Sequence, residues 1–600
     1  MNKLHPVDAA ILVVYLIATL VAGALLSRRA SKDFDSYFLG GRKIPWYALG
    51  VSNASGMFDA TGTMVMVAWM LVYGVKSLWI PWLWPTFNQV VMMVFLAAFI
   101  RRTGAVTGAD LLRTRFGKGI GLELAHLGVV AFALVAVVAF IAYAFLGVGK
   151  FAELILPWDY SANTYALTLM LITTVYVMLG GMHSVVLTDV IQFALLTVAS
   201  VAVGLIAMSR TTAESIASAT PAGWGDIGFG WRLDLDWTGK IDHLNTVVAN
   251  DIYASFAPFV LMAFANGVLK SVAGPTPGYD MQRVLAARNE REASLMSAIV
   301  SPVLFLPRYL LITGISVLAL VYYSDAIQAQ GADADFEQVL PWVIAEFIPV
   351  GLSGLLLAGL FAAFMSTFDS NLNAGAAYMT NDLYRRYVNP GARPVELAVV
   401  SYASCALIVV AGIWIGFKAS TINDSMQWIA GALFGGYAAP NVLKWVWWRL
   451  NAPGYMAGMT SGVLLALWLH DQSFFVVAPT LVAASGLVSV VVSLLTPADD
   501  PAVLDRFYRL VRPWGYWGPV RERVVSSADG FIPNDSFARD MFNCGVGIVW
   551  QLSLCAAPVF LVLHRYGAAA IAAALAVVTT TLLKRCWYDC LPSSEACSTD

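Results

Sequence analysis

Charge is what this chain has least of. Asp, Glu, Lys and Arg together make up 12% of its 600 residues, about half of the roughly 25% usual in soluble domains. Lys and Arg number 36 against 38 Asp and Glu, for a net charge of −2. There is no basic excess to hold a polyphosphate backbone, which excludes nucleic acid as a partner. Nucleotide-binding signatures are missing as well. No P-loop or kinase motif occurs, so ATP-driven transport has no engine here. Cysteines number six, and Cys586 and Cys590 lack a matching Cys/His pair. A zinc site or a disulfide framework does not follow, and reduced thiols are expected. His5, His126, His183, His243, His470 and His564 are scattered, with no convergent acid or cysteine partner, so an enzyme is not expected.

Hydrophobic residues are abundant instead, at 59%. A soluble fold cannot hide so much apolar surface, so lipid is the solvent for most of the chain. Runs long enough to span a bilayer lie near 8–26, 46–75, 77–100, 122–148, 163–180, 184–208, 247–272, 294–323, 351–379, 395–416, 425–448, 454–469, 473–495, 541–563 and 567–583. The alternating polarity of membrane strands is absent, so these are about fifteen transmembrane helices of an all-α polytopic protein. The start resembles a signal peptide, with Ala22-Gly23-Ala24 imitating a cleavage site. Arg28 and Arg29 follow at once, which favours an uncleaved first helix.

Loop charges set the orientation. Arg28, Arg29, Lys32, Arg42 and Lys43 follow the first run, and Arg101, Arg102, Arg113, Arg115 and Lys118 the third. Arg283, Arg288 and Arg291, then Arg385, Arg386 and Arg393, then Arg506, Arg509, Arg512, Arg521 and Arg523 fall on the same side of a fifteen-helix chain. The loop at 324–350 carries only acids, Asp325, Asp333, Asp335, Glu337 and Glu346. Positive loops face the cytoplasm, so the N-terminus is outside and the C-terminus inside. The outer loop 209–246 and the inner stretch 496–540 are the polar interruptions. The latter is rich in Arg, Trp and Tyr, which suits the headgroup layer.

Polar groups within a membrane helix are costly and mark pathways. The second run contains Ser52-Asn53-Ala54-Ser55-Gly56-Met57-Phe58-Asp59-Ala60-Thr61-Gly62. That density of small and polar residues predicts a broken helix, whose freed carbonyls can coordinate a hard cation. Close packing by small residues is the plainer reading. In the ninth run Ala363, Ser366 and Thr367 share one helix face. Two hydroxyls and a carbonyl there make half of a small oxygen cage, although such hydroxyls often only bond back to their own helix. Asp189 follows Gly180-Gly181, a tight inner turn. It is either a carboxylate favoured by a helix N-terminus or an attractor for a departing cation. Asn88 and Gln89 in the third run could face a solute, as could Asn250 near the outer end of the seventh. Asp59 is a candidate proton or solute site. Arg308, deep in the eighth run after Pro302 and Pro307, could clamp a carboxylate with its planar fork. A structural pair with Asp59, Asp251 or Asp369 is the alternative.

Together these stretches resemble the sodium:solute symporter family. The similarity rests on Asp35-Ser36-Tyr37-Phe38-Leu39-Gly40-Gly41-Arg42, on Gly180-Gly181 with Thr188-Asp189 and Gln192, and on Gln282-Arg283 through Arg288 with Glu292-Ala293. It rests also on Met365-Ser366-Thr367-Phe368-Asp369-Ser370 with Asn373, followed by Thr380-Asn381-Asp382. The resemblance runs from about residue 8 to 495. It implies a LeuT-type core of five helices and five inverted ones. Residues 1–45 then hold the first helix and inner loop, 46–208 the first repeat, 247–450 the second and 451–495 helices 12 and 13. The amphipathic stretch 496–540 follows, and 541–600 hold two extra helices and a tail.

The resemblance further implies a Na⁺ site from carbonyls near Ser52 and Ser55, the Ala363 carbonyl and the Ser366 and Thr367 hydroxyls, with Asp189 helping the ion leave inward. The implied activity is Na⁺-coupled symport of a small organic solute into the cell by alternating access, in a plasma membrane such as a bacterial inner membrane. The polar residues that hold sugar in galactose carriers are not reproduced. The lysine such carriers place in helix 8 falls near Leu304, one turn from Arg308. The cargo therefore stays open among sugars, amino acids and carboxylates. A proton-coupled carrier of the same fold and a transporter-like sensor are the alternatives.

Overall fold

The computed structural model describes residues 4–592 except 31–33, 84–86, 229, 276–277, 332–333, 335, 337–338, 419–433, 470–471 and 528–529. Lys32, Asp333, Asp335, Glu337 and the first part of the eleventh run, 425–433, lie outside the described residues. Among the described residues the chain is helical, and ten helices are long and apolar enough to cross a membrane.

The elements that build the site are, in chain order, α1 (Pro6–Ala30), α2 (Trp46–Met57), α3 (Ala60–Tyr73), α4 (88–102), α5 (Ile120–Ile155), α6 (Ala162–Arg210), α7 (Leu244–Asn250), α8 (Phe256–Ala273), α9 (Tyr279–Ala286) and α10 (Glu290–Gln330). They continue as α11 (Leu352–Ala377), α12 (Pro394–Gly416), α13 (Phe434–Val446), α14 (Ala452–Trp468), α15 (Phe474–Leu495), α16 (Pro501–Val511), α17 (Phe537–Val562) and α18 (Tyr566–Cys586). Helix α11 is the central pillar. It is buried on nearly every face and packs most extensively on α6. Gly359 makes that approach possible, since a Cβ there would lie 3.1 Å from the Leu196 Cα.

Among the described residues, two helix breaks each open one of the two expected repeats. The second run breaks between α2 and α3, where Phe58 leaves helical geometry and Asp59 caps α3 by accepting from Gly62 N at 3.1 Å. The seventh breaks between α7 and α8, where Asp251 is extended and Ile252–Ala254 form one 3-10 turn. The Gly180-Gly181 turn appears as a single non-helical residue inside α6, Gly181 at φ 54°. A positive φ there costs glycine little.

The inner stretch packs part of its aromatic face on the protein itself. Phe507, Tyr508, Val511 and Trp517 are buried against the body of the protein. Trp517 donates to the Trp445 carbonyl at 2.8 Å. The physical reason is Arg115, fully buried between Phe116, Phe507 and Trp517 and donating to the carbonyls of Lys444, Trp447, Trp448 and Leu450. A buried guanidinium needs such a shell of acceptors and ring faces. Arg115 and Arg283, both counted above among the loop charges, are therefore interior groups.

Candidate functional site

At the end of α2 the last carbonyls find partners one by one. Those of Ala54 and Ser55 both accept from Phe58 N at 3.1 Å. The Gly56 carbonyl accepts from the Thr367 hydroxyl at 3.0 Å, and that of Met57 from Arg308 Nη1 at 3.0 Å. Thr367 also lies 3.1 Å from the Ala363 carbonyl, its own helix's acceptor. Neutral oxygens from the broken helix and from α11 thus meet around Thr367. Ser366, on the same face, lies near Asp189, yet its buried hydroxyl makes no hydrogen bond of normal geometry. A small set of carbonyl and hydroxyl oxygens of this kind suits a hard monovalent cation.

The carbonyls expected from the broken helix lie near Ser52 and Ser55. The carbonyl that faces α11 is Gly56, one residue beyond Ser55, because the helix runs on to Met57 before it breaks. Ser52 lies one turn earlier and contributes its hydroxyl elsewhere, donating to Asp189. Arg283 completes that cluster, with Nε on Ser52 Oγ at 2.8 Å, and Nη2 on Asp189 at 3.0 Å and on Ser370 Oγ at 2.7 Å. Asp189 is thus the centre of a buried ion pair beside the oxygen cluster. Sequence reasoning missed the role of Arg283. Its position in a short arginine-bearing stretch signalled only a cytoplasmic loop.

Next to the oxygen cluster lies a cavity of about 260 Å³. Gly56 and Thr367 belong to its wall, so cation cluster and cavity are contiguous. Asp59 and Arg308 face it, 3.8 Å apart. Tyr143 donates to Asp59 at 2.9 Å. Arg308 stands over the Phe58 ring at 5.6 Å, and its buried Nε has no hydrogen-bond partner. Asn88 and Leu304 line the cavity as well, with Trp69, Trp82, Phe140 and Phe305 supplying apolar faces. The structure therefore brings Asp59, Asn88 and Arg308 together. It does not bring Gln89 or Asn250 to the wall. Gln89 turns its amide to the Met57 sulfur at 3.9 Å, and Asn250 is exposed at the last residue of α7, ahead of the break. Asp280, on α9, was not anticipated. It lines the cavity beside the Asn53 and Asn88 amides, and only tertiary folding turns this inter-helix stretch inward.

A solute-sized cavity contiguous with a neutral-oxygen cluster, both at a helix break in a membrane protein, defines a secondary carrier. The particular kind follows from comparison: residues 37–462 match the sodium:solute symporter family, and the chain belongs to it. It is 25% identical to the sodium/mannose cotransporter of Bos taurus, over 83% of this chain and 88% of that protein. It is also 25% identical to the sodium/glucose cotransporter of Vibrio parahaemolyticus, over 77% and 85% respectively. Among solved structures, a substrate-bound, outward-open Na⁺-coupled sialic acid symporter superposes with a TM-score of 0.63 at 20% identity, covering 83% of this chain and 99% of that one. The chain thus has the LeuT-type helical fold and is a Na⁺-coupled symporter of a small solute. The family and these relatives are transporters.

Proposed function

We propose that the chain carries a sugar-sized organic acid into the cell together with Na⁺. The observation that supports this cargo is Arg308. Its guanidinium lines the cavity, is anchored through Nη1 on the Met57 carbonyl, is held only loosely by Asp59, and has a buried Nε without a hydrogen-bond partner. A carboxylate matches that planar fork. Asn88 and Asp59 remain for hydroxyls, and the tryptophan and phenylalanine faces for the ring's C–H surface. Mannose, glucose and sialic acid, the cargoes of the similar cotransporters, are of this size.

Na⁺ sits between the end of α2 and the Ala363 carbonyl with the Ser366 and Thr367 hydroxyls. It ties α2 to α11 and favours the solute-ready state. Asp189, tempered by Arg283, draws the ion toward the cytoplasm on release. Coupling requires that ion and solute each raise the other's affinity by the same factor. The membrane potential adds about 2.3 kcal/mol per charge per 100 mV. The repeats run over 46–208 and 247–450, with fifteen crossings, the N-terminus outside and the C-terminus inside, in a bacterial inner membrane. The chain acts as a carrier, not an enzyme.

The test is Na⁺-gradient-driven uptake into proteoliposomes of a panel of neutral monosaccharides, myo-inositol, amino acids, uronic acids and sialic acid, with K⁺ as the control gradient. A Na⁺-dependent signal confined to the acids, weakened in Arg308→Gln, is expected. Uptake of neutral sugars alone, untouched by that substitution, would overturn the assignment of the cargo.

A further inference from the structure

The cavity is not completed by the family core. Its wall includes Gln551, Leu552 and Cys555 of α17, which lies about ninety residues beyond the end of the matched region at 462. Gly547, Gln551 and Cys555 stand at i, i+4 and i+8, one stripe on one helix face. The stripe is pressed in by its first member. A Cβ at Gly547 would lie 2.5 Å from Val90 Cγ1 and 3.3 Å from Met93 Cε, so only glycine lets α17 approach α4 this closely. Asn88 of the same α4 lines the cavity. The far end of the hairpin is fixed to the same strip of chain, since Trp587, just after α18, donates to the Met93 carbonyl at 2.8 Å. Along its length α17 packs on α10, the helix that carries Leu304, Arg308 and Tyr309 into the cavity. Gln551 and Cys555 are 1% and 7% exposed, so the wall is their environment, not lipid.

We propose that α17 supplies part of the solute site, with Gln551 and Cys555 as specificity-determining contacts. This rests on reading the cavity as the solute site. The Gln551 amide both donates and accepts, which suits a hydroxyl or an acyl-amide group of the solute. Cys555 and Leu552 bound the space beside it. The cargo's shape against α17 is then set by residues the core does not contain.

The experiment uses the full chain in proteoliposomes, with Cys405, Cys544, Cys586, Cys590 and Cys597 replaced by serine so that Cys555 is the sole thiol. The probe is 2-aminoethyl methanethiosulfonate, small and charged, and modification is read by intact mass. A second protein carries Cys555→Ser and Asn88→Cys, placing the sole thiol on the core wall. The proposal expects both proteins to be modified. It also expects modification at Cys555 to abolish Na⁺-driven uptake of whichever panel solute the unmodified protein accumulates. Modification at Asn88→Cys with none at Cys555 would overturn the role of α17 and leave the cavity reading intact. Modification of neither would overturn both. In an otherwise unaltered chain, Gln551→Leu is expected to raise the KM for the accumulated solute about tenfold, the loss of one buried hydrogen bond, with little change in kcat. A fall in kcat at constant KM would contradict a contact role.

Discussion

Two arginine–aspartate pairs lie on either side of the broken helix, and their difference separates framework from function. Arg283 is firmly held: Ser52, Asp189 and Ser370 all engage it, and it is 1% exposed. Arg308 has one firm partner, the Met57 carbonyl, and an aspartate at 3.8 Å, at the edge of contact. The first pair spends its donors inside the protein and pins α2, α6 and α11 together. The second lines a cavity and leaves its Nε without a partner. The same two residue types therefore do opposite jobs, and the hydrogen-bond inventory tells them apart.

Removing the firmly held cation has the largest expected effect. Arg283→Gln leaves Asp189 as an uncompensated buried charge, for a loss of about 3–5 kcal/mol. Thermal unfolding in detergent should show a large fall in Tm or no folded protein. A variant as stable as wild type would erase the distinction between the pairs. Arg308→Gln should do the reverse. The fold should persist with a Tm near that of wild type, while the KM for an acidic solute rises by tenfold or more, about 1.4 kcal/mol. A collapse in stability with unchanged KM would make Arg308 a second framework residue.

A smaller effect sharpens the comparison from outside the membrane. Asp499 lies 3.5 Å from the buried Arg115, yet burial pushes its carboxyl up to about 6, the arginine offsetting only part of that rise. A carboxyl whose folded pKa exceeds its ordinary value stabilises the fold most when protonated. That contribution is present below about pH 4 and is lost as the pH rises through 6. Asp499→Asn should flatten the decline in Tm between pH 4 and pH 6.5. An unchanged slope would show that the pair, not the burial, governs this carboxylate.

Much of this was legible in the sequence because it rests on local pattern. Ser52 to Gly62 is too polar and too rich in small residues for a plain membrane helix, and the break falls within it, at Phe58–Asp59. Ala363, Ser366 and Thr367 share a face by helical spacing alone, and that face meets the break. That the Gly56 carbonyl meets Thr367 was not legible, because spacing does not say where a helix stops, only that it weakens. What stayed hidden depends on tertiary packing. Arg283 and Arg115 look like loop charges until α9 carries the first inward and α16 covers the second. Asp280 looks like a loop acid, and Gln551 like an ordinary residue of a trailing helix, until both face the cavity.

The most direct test of the account is the Na⁺ site, because the coupling of ion to solute rests on it. Tm would be measured in NaCl against equimolar KCl, for the wild type and for the Ser366→Ala, Thr367→Ala double variant. A ligand held only by the folded state adds about 2.7 kcal/mol at a hundredfold excess over its dissociation constant. The account predicts a Na⁺-specific rise in the wild type and none in the double variant. A Na⁺-specific rise of equal size in both would contradict it and place the ion elsewhere.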